Sequence, residues 1–82
     1  KTSLERVAAF LIEMDRRLKA AGVIPLPMSR RDIADYLGLT LETVSRALSR
    51  LHELDIIGFV DRNQRQIVLL NRGQLASLDQ QT

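Results

Sequence analysis

The chain has 82 residues, 45% of them apolar, and a formal net charge of +2 at neutral pH. This length predicts one small domain spanning residues 1–82, and so small a charge does not by itself indicate a nucleic-acid partner. The absence of cysteine excludes disulfides and thiolate metal sites. The sequence also has no run of about 18 apolar residues that could span a membrane. We therefore expect a cytoplasmic protein.

The chain begins with a predicted amphipathic helix over residues 3 to about 20. Apolar side chains recur there at steps of three and four, which is the period of one helix face. Ser3 is the predicted N-cap of this helix, and Gly22 is its predicted C-terminal stop. Two prolines at alternate positions within residues 23–28 then exclude a helix and predict an extended connector or a short edge strand.

Two further predicted helices are joined by a short turn that contains glycine. Ser29 is the predicted N-cap of the first, because its hydroxyl can accept a hydrogen bond from the backbone amide of Asp32. Gly38 supplies the left-handed residue that commonly follows a helix. Only Leu39 separates it from Thr40, the predicted N-cap of the next helix. Such a turn between two helices is typical of a helix-turn-helix unit.

The third predicted helix, residues 41–54, has two faces of opposite character. Its apolar face is predicted to point inward and consists of Val44, Ala47, Leu48, Leu51 and Leu54. Its polar face is predicted to point outward and consists of Glu42, Ser45, Arg46 and Ser49. The helical spacing of three and four places these polar residues side by side. A rigidly held helix with one such polar face is what entry into the major groove of DNA requires.

Residues 58–62 and 66–70 form two short alternating runs. This pattern predicts a β-hairpin whose tip carries Arg62 and Arg65. A basic hairpin next to a helix-turn-helix unit is predicted to act as a wing that contacts the DNA backbone.

The chain closes with a short predicted helix, residues 72–78, capped by Asn71. Leu75 and Leu78 are expected to dock it on the core, and the polar tail 79–82 is expected to be frayed. The order of elements predicts an α+β fold that is mainly helical. We expect a winged helix-turn-helix with a three-helix core, a β-hairpin wing and a short C-terminal helix.

The polar face of the third helix carries side chains that can recognise base edges. Arg46 can donate two hydrogen bonds to guanine O6 and N7, Glu42 can accept from cytosine N4, and Ser45 can bond to either kind of group. Ser49 completes the face. An acidic residue opposes general attraction to phosphates, so Glu42 is better explained by sequence recognition than by charge. The predicted phosphate-binding residues are Ser29, Arg30, Arg31, Thr40, Thr43, Arg50, Arg62 and Arg65.

Other functions are less compatible with these residues. An enzyme is not expected, because the chain has one histidine, no cysteine and four glycines that are all isolated. We likewise expect no metal and no cofactor in this domain. A winged helix that binds a protein partner remains the alternative. It should present an apolar anchor, and none stands among residues 42, 45, 46 and 49.

The stretch from Met28 to Leu54 closely resembles the DNA-binding domain of the CRP/FNR family of bacterial transcription regulators. Within it, residues 42–46 (Glu-Thr-Val-Ser-Arg) carry the Glu-x-x-Ser-Arg motif of the FNR and FixK branch. The resemblance extends over essentially all 82 residues. It implies a homodimer that binds a palindrome of TTGAT-type half-sites, each read by the glutamate, serine and arginine of the motif. Leu41 stands where the cyclic AMP receptor class has arginine, and could instead contact a thymine methyl group.

In this family a β-roll sensor domain and a long dimerisation helix precede the DNA-binding domain. Neither is recognisable in this sequence, which starts at Lys1 rather than at a methionine. We therefore expect a fragment of a longer regulator whose sensor domain is absent and which is monomeric when isolated. The resemblance also implies that the full-length protein contacts RNA polymerase.

Overall fold

A computed structural model describes residues 2–18, 23–25, 29–60 and 66–80 of the chain. In these ranges it contains four helices and three strands. In chain order they are α1 (Ser3–Leu18), β1 (Val23–Pro25), α2 (Arg30–Leu37), α3 (Leu41–Glu53), β2 (Ile57–Phe59), β3 (Gln66–Leu69) and α4 (Arg72–Gln80). The predicted mainly helical α+β class is confirmed. The predicted stop at Gly22 and the wing residues Arg62 and Arg65 lie outside the described residues.

The three strands form one antiparallel sheet in the order β1-β3-β2. Strand β3 is central, because Val68 aligns with Val23 of β1 on one side and with Gly58 of β2 on the other. Of the two possibilities left open for the proline-containing segment, the structure has the short edge strand. An edge position suits proline, because it has no backbone N–H to donate to a neighbouring strand.

A single cluster of buried apolar residues lies between the helices and the sheet. Helices α1, α3 and α4 each contribute a fully buried side chain, respectively Leu11, Leu51 and Leu75. The sheet contributes Ile57 and Ile67. The predicted docking of α4 is confirmed, since Leu75 is buried and Leu78 packs against the cluster. The core therefore holds α3 from one side only and leaves its other side exposed.

The first helix is capped by Thr2 rather than by Ser3, so that prediction was wrong by one residue. The Thr2 hydroxyl accepts from the Glu5 backbone amide at 3.2 Å, and the Glu5 carboxylate accepts from the Thr2 amide at 2.7 Å. This reciprocal pair is a capping box. The prediction for α4 is correct at its start, because the Asn71 side-chain oxygen accepts from the Gln74 amide at 3.0 Å.

The hairpin strands, Ile57–Phe59 and Gln66–Leu69, differ slightly from the predicted runs 58–62 and 66–70, and the ends of two helices differ as well. Helix α3 ends at Glu53, and the predicted core residue Leu54 is 39% exposed. The reason is that Asp55 adopts a left-handed conformation with φ 58°, which turns the chain so that Ile56 enters the core instead. Helix α4 continues to Gln80, so the first two residues of the predicted frayed tail are helical.

Candidate nucleic-acid interface

The turn between α2 and α3 is a Schellman motif with glycine at its left-handed position. Gly38 has φ 71° and ψ 32°. Its amide donates to the Asp35 carbonyl at 3.3 Å, and the Leu39 amide donates to the Ala34 carbonyl at 2.8 Å. These bonds satisfy carbonyls at the end of α2 and fix the direction in which the chain leaves it. The predicted helix-turn-helix connection is therefore present in the predicted place.

Both helices of this unit begin with the predicted caps. The Ser29 hydroxyl accepts from the Asp32 amide at 3.2 Å, and the Thr40 hydroxyl accepts from the Thr43 amide at 3.1 Å. The hydroxyls of Thr40 and Thr43 also share a hydrogen bond of 2.7 Å. Since that bond uses only one of the two hydroxyl protons, the other remains available to an acceptor at the start of α3.

The predicted inward face of α3 is confirmed at four positions, where Val44, Ala47, Leu48 and Leu51 are all buried. The packing of these four side chains in the core fixes the rotation of α3 about its own axis, because turning the helix would expose them to water. The side chains projecting on the other side are consequently held in a defined direction.

The outward face carries the predicted polar residues. The side chains of Glu42 and Arg46 are 85% and 83% exposed, and the Arg46 Nη2 atom lies 3.9 Å from the Glu42 Oε2 atom. Ser49 is exposed as well, whereas Ser45 is half-buried. The structure thus brings a carboxylate and a guanidinium into contact on the exposed face. Ser45 is less exposed than the pattern predicted.

The first position of α3 is occupied by an exposed apolar side chain. Leu41 is 42% exposed. The exposed polar face itself presents no apolar anchor at Glu42, Arg46 or Ser49. Only the edge of this surface could therefore offer a hydrophobic contact, such as one with a methyl group.

A shallow groove of about 390 Å³ runs between α3 and the first turn of α1. Thr43, Arg46 and Arg50 line it from α3, and Ser3 and Leu4 line it from α1. The Arg50 Nη1 atom lies 3.5 Å from the Glu53 Oε2 atom. Because they line the same groove, the guanidinium groups of Arg46 and Arg50 lie on one side of the helix, next to the predicted phosphate-binding residue Thr43.

The two arginines at the start of α2 differ in their surroundings. Arg31 is exposed, whereas Arg30 is half-buried, and this burial lowers the pKa of Arg30. The Arg30 guanidinium lies over the ring of Phe59, 5.8 Å from its centroid. His52 lies against the same ring, with the two ring centroids 5.0 Å apart. The role of Phe59 was missed at the sequence level, because a lone aromatic in a predicted strand gives no signal of its partner.

Among residues 2–18, 29–60 and 66–80, no group of three acidic or histidine side chains lies close enough together to hold a metal ion. Of the helices that the structure describes, none combines the length and the apolar character needed to cross a membrane.

Residues 5–78 match the model of the Crp-like helix-turn-helix domain. The chain is 46% identical over 76 residues to the nitrogen fixation regulation protein FixK of Rhizobium meliloti (strain 1021), covering 93% of this chain and 35% of that protein. It is 39% identical over 82 residues to the fumarate and nitrate reduction regulatory protein of Vibrio cholerae, covering 95% of this chain and 32% of that protein. The chain thus spans about a third of the length of these curated relatives.

Two solved structures of transcription regulators contain a domain with the same fold as this chain. FixK2 from Bradyrhizobium japonicum superposes with a TM-score of 0.90 at 66% identity, covering 100% of this chain and 40% of that one. The CO-dependent transcription factor CooA from Carboxydothermus hydrogenoformans superposes with a TM-score of 0.79 at 28% identity, covering 93% of this chain and 36% of that one. The predicted resemblance to FNR- and FixK-type regulators is confirmed. These names describe regulators rather than enzymes, as the sequence predicts.

Proposed function

The chain belongs to the Crp-like helix-turn-helix domain family, and we propose that it is the DNA-binding part of a longer regulator in which α3 reads TTGAT-type half-sites. Sequence-specific binding of DNA for transcription regulation is the function common to FixK- and FNR-type proteins. The observation that carries the half-site proposal is the exposed contact between Glu42 and Arg46 on a helix held by a buried opposite face.

A TTGAT half-site contains one G·C pair, and the Glu42–Arg46 contact is complementary to it. The major-groove edge of this pair presents the acceptors N7 and O6 of guanine beside the N4 donor of cytosine. Arg46 supplies donors and Glu42 supplies an acceptor, with 3.9 Å between the two groups. In the complex, Arg46 donates to the guanine and Glu42 accepts from the paired cytosine.

The A·T pairs of the half-site leave two kinds of contact for the remaining residues of α3. Leu41 is exposed at the first helical position, where it can contact a thymine methyl group. The hydroxyls of Ser45 and Ser49 can donate to thymine O4 or adenine N7. Because Ser45 is half-buried, its contact is limited to a base that comes close to the helix axis.

Phosphate contacts flank the base-reading face. Thr40 and Thr43 retain one hydroxyl proton between them, and the amides at the starts of α2 and α3, next to Ser29 and Thr40, favour an anion. Arg30, Arg31 and Arg50 supply positive charge around this face. The contacts predicted for the wing, through Arg62 and Arg65, belong to the same proposal.

The longer regulator is proposed to bind its palindrome as a homodimer, because two-fold symmetric sites are matched by two-fold symmetric proteins. Contact with RNA polymerase and a location in the cytoplasm, where the DNA lies, are part of this proposal. The isolated domain is proposed to be monomeric and therefore to bind more weakly.

A titration against two duplexes tests the half-site proposal. One duplex carries a palindrome of TTGAT half-sites, and the other has the same composition in scrambled order. The affinity for both should fall with rising salt, because phosphate contacts release counterions, while the preference for the palindrome should persist. Equal affinity for the two duplexes at both salt concentrations would refute base reading by α3 and favour the protein-interaction alternative.

A further inference from the structure

Phe59 of strand β2 contacts a side chain from each helix of the helix-turn-helix unit. The guanidinium carbon of Arg30, at the start of α2, lies 5.8 Å from the centroid of its ring. The ring of His52, near the end of α3, lies 5.0 Å away and is inclined by 60°. One aromatic side chain of the sheet thus contacts both helices, which also share the buried apolar cluster.

The position of Phe59 is itself fixed. Its backbone lies in the antiparallel ladder opposite Ile67, and its side chain packs against the buried apolar cluster. An arginine side chain, by contrast, has many rotamers, and it loses that freedom when a ligand holds it. A fixed ring next to a long cationic side chain is suited to reduce the number of positions that the cation occupies.

We propose that Phe59 is a positioning residue for DNA binding, which holds the guanidinium of Arg30 in place before a phosphate arrives. The inference rests on the proposed function, in which Arg30 binds the DNA backbone. A side chain that is already ordered loses less entropy when the ligand binds, so the phosphate contact becomes stronger. The face of an aromatic ring attracts a cation, and a guanidinium can lie flat on it while its edge stays open to donate.

The burial of Arg30 agrees with this contact. Partial removal from water lowers the pKa of Arg30, although the group stays charged at neutral pH. A partly dehydrated cation interacts more strongly with a ring than a fully hydrated one. The neighbouring Arg31 is the natural reference, because it is exposed and has no aromatic partner in the part of the chain that the structure describes.

A double-mutant cycle between Phe59→Leu and Arg30→Ala tests the proposal, with the affinity for the palindrome and for the scrambled duplex as the readout. Phe59→Leu keeps an apolar side chain in the sheet but removes the ring. We expect it to weaken binding to both duplexes about threefold to tenfold. In the Arg30→Ala background the same change should have almost no effect, and Phe59→Tyr, which keeps the ring, should bind like the wild type. Equal weakening with and without Arg30 overturns the proposal.

A second measurement needs no substitution, and so holds even if Phe59→Leu fails to fold. Side-chain ¹⁵N relaxation of the Nε–H groups in the free chain should show Arg30 to be more ordered than Arg31. Equal disorder of the two overturns the proposal.

The half-site reading by α3 and the positioning role of Phe59 are separated by different outcomes. If the wild-type chain binds both duplexes equally, the half-site proposal is wrong, but the cycle is still measurable because phosphate contacts do not depend on sequence. If the chain binds no DNA at all, both are wrong.

Discussion

Arg46 and Glu42 contact each other across the exposed face of α3, four positions apart. An ion pair between two groups so accessible to water contributes little to folding, because the solvent screens both charges. Their presence on this face is therefore not explained by stability. In the proposed function the pair faces a ligand that presents acceptors beside a donor, as the major-groove edge of a G·C pair does.

Replacing Glu42 by alanine tests this explanation at the level of one residue. The change removes a negative charge that repels phosphates, so the affinity for scrambled DNA should rise. It also removes the acceptor for cytosine, so the preference for the TTGAT duplex should fall by about 1–3 kcal/mol. Fluorescence anisotropy with both duplexes measures the two effects separately.

Glu53→Ala is the matched control, since Glu53 is an exposed glutamate at the far end of the same helix. It should raise the affinity for both duplexes by the same factor and leave the preference unchanged. A Glu42→Ala variant that behaves in this way as well would contradict the assigned role of Glu42.

Contacts between side chains that are close in sequence on one helix were predictable from the sequence. The shared face of Glu42 and Arg46 follows from helical spacing alone. The contact between Arg30 and Phe59 was not predictable, because it depends on how β2 packs beside α2. At the start of α1 two neighbouring hydroxyls are available to cap the helix, and the Thr2-x-x-Glu5 pattern identifies the correct one.

At the scale of elements, the orientation of α3 is set by the turn that precedes it. Gly38 adopts a left-handed conformation, which costs an alanine about 1–2 kcal/mol. A methyl group at this position would meet no atom within 4 Å, so the backbone alone accounts for the cost. The glycine is thus required by the conformation of the turn and not by close packing.

Gly38→Ala should lower the free energy of unfolding by about 1–2 kcal/mol in urea denaturation. Gly73→Ala is the control, because Gly73 lies in helix α4, where its added methyl group would make only an ordinary contact with Asn71. That change should raise the free energy of unfolding by about 0.4–1 kcal/mol. Equal effects of the two substitutions would show that the turn is not strained against alanine.

The end of α3 was only partly predictable, because an apolar residue at the right helical spacing need not lie in the helix. Leu54 continues the period of Leu51, yet the helix stops one residue before it. Asp55 turns the chain in a left-handed conformation, and Ile56 fills the core. The sequence alone does not distinguish Leu54 from Ile56 as the core residue, since both are large and apolar.

The two leucines should therefore respond very differently to truncation. Leu51→Ala removes a fully buried side chain and should cost about 2–5 kcal/mol of the free energy of unfolding. Leu54→Ala removes a side chain that keeps 39% of its surface exposed and should cost less than about 1 kcal/mol. Thermal melts followed by circular dichroism give both values. A comparable loss at the two positions would mean that Leu54 is buried after all.

At the scale of the whole molecule, the core serves to hold α3 by one face. Helix α1 packs against α3, and α4 packs against α1, where Arg72 Nη2 lies 3.2 Å from Asp15 Oδ1 and joins the last helix to the first. The order of elements was sufficient to predict this winged helix-turn-helix arrangement. The pairing of β1 with β3 was not, because a proline-containing segment becomes a strand only if a partner edge is available to it.

The exposed face of α3 is proposed to recognise the single G·C pair of the half-site. The most direct test compares the affinities for duplexes carrying TTGAT and TTAAT in the wild type and in Arg46→Ala. We predict that the wild type prefers TTGAT by about 1–3 kcal/mol and that Arg46→Ala loses this preference while still binding DNA. An Arg46→Ala variant that keeps the wild-type ratio between the two duplexes would contradict the claim.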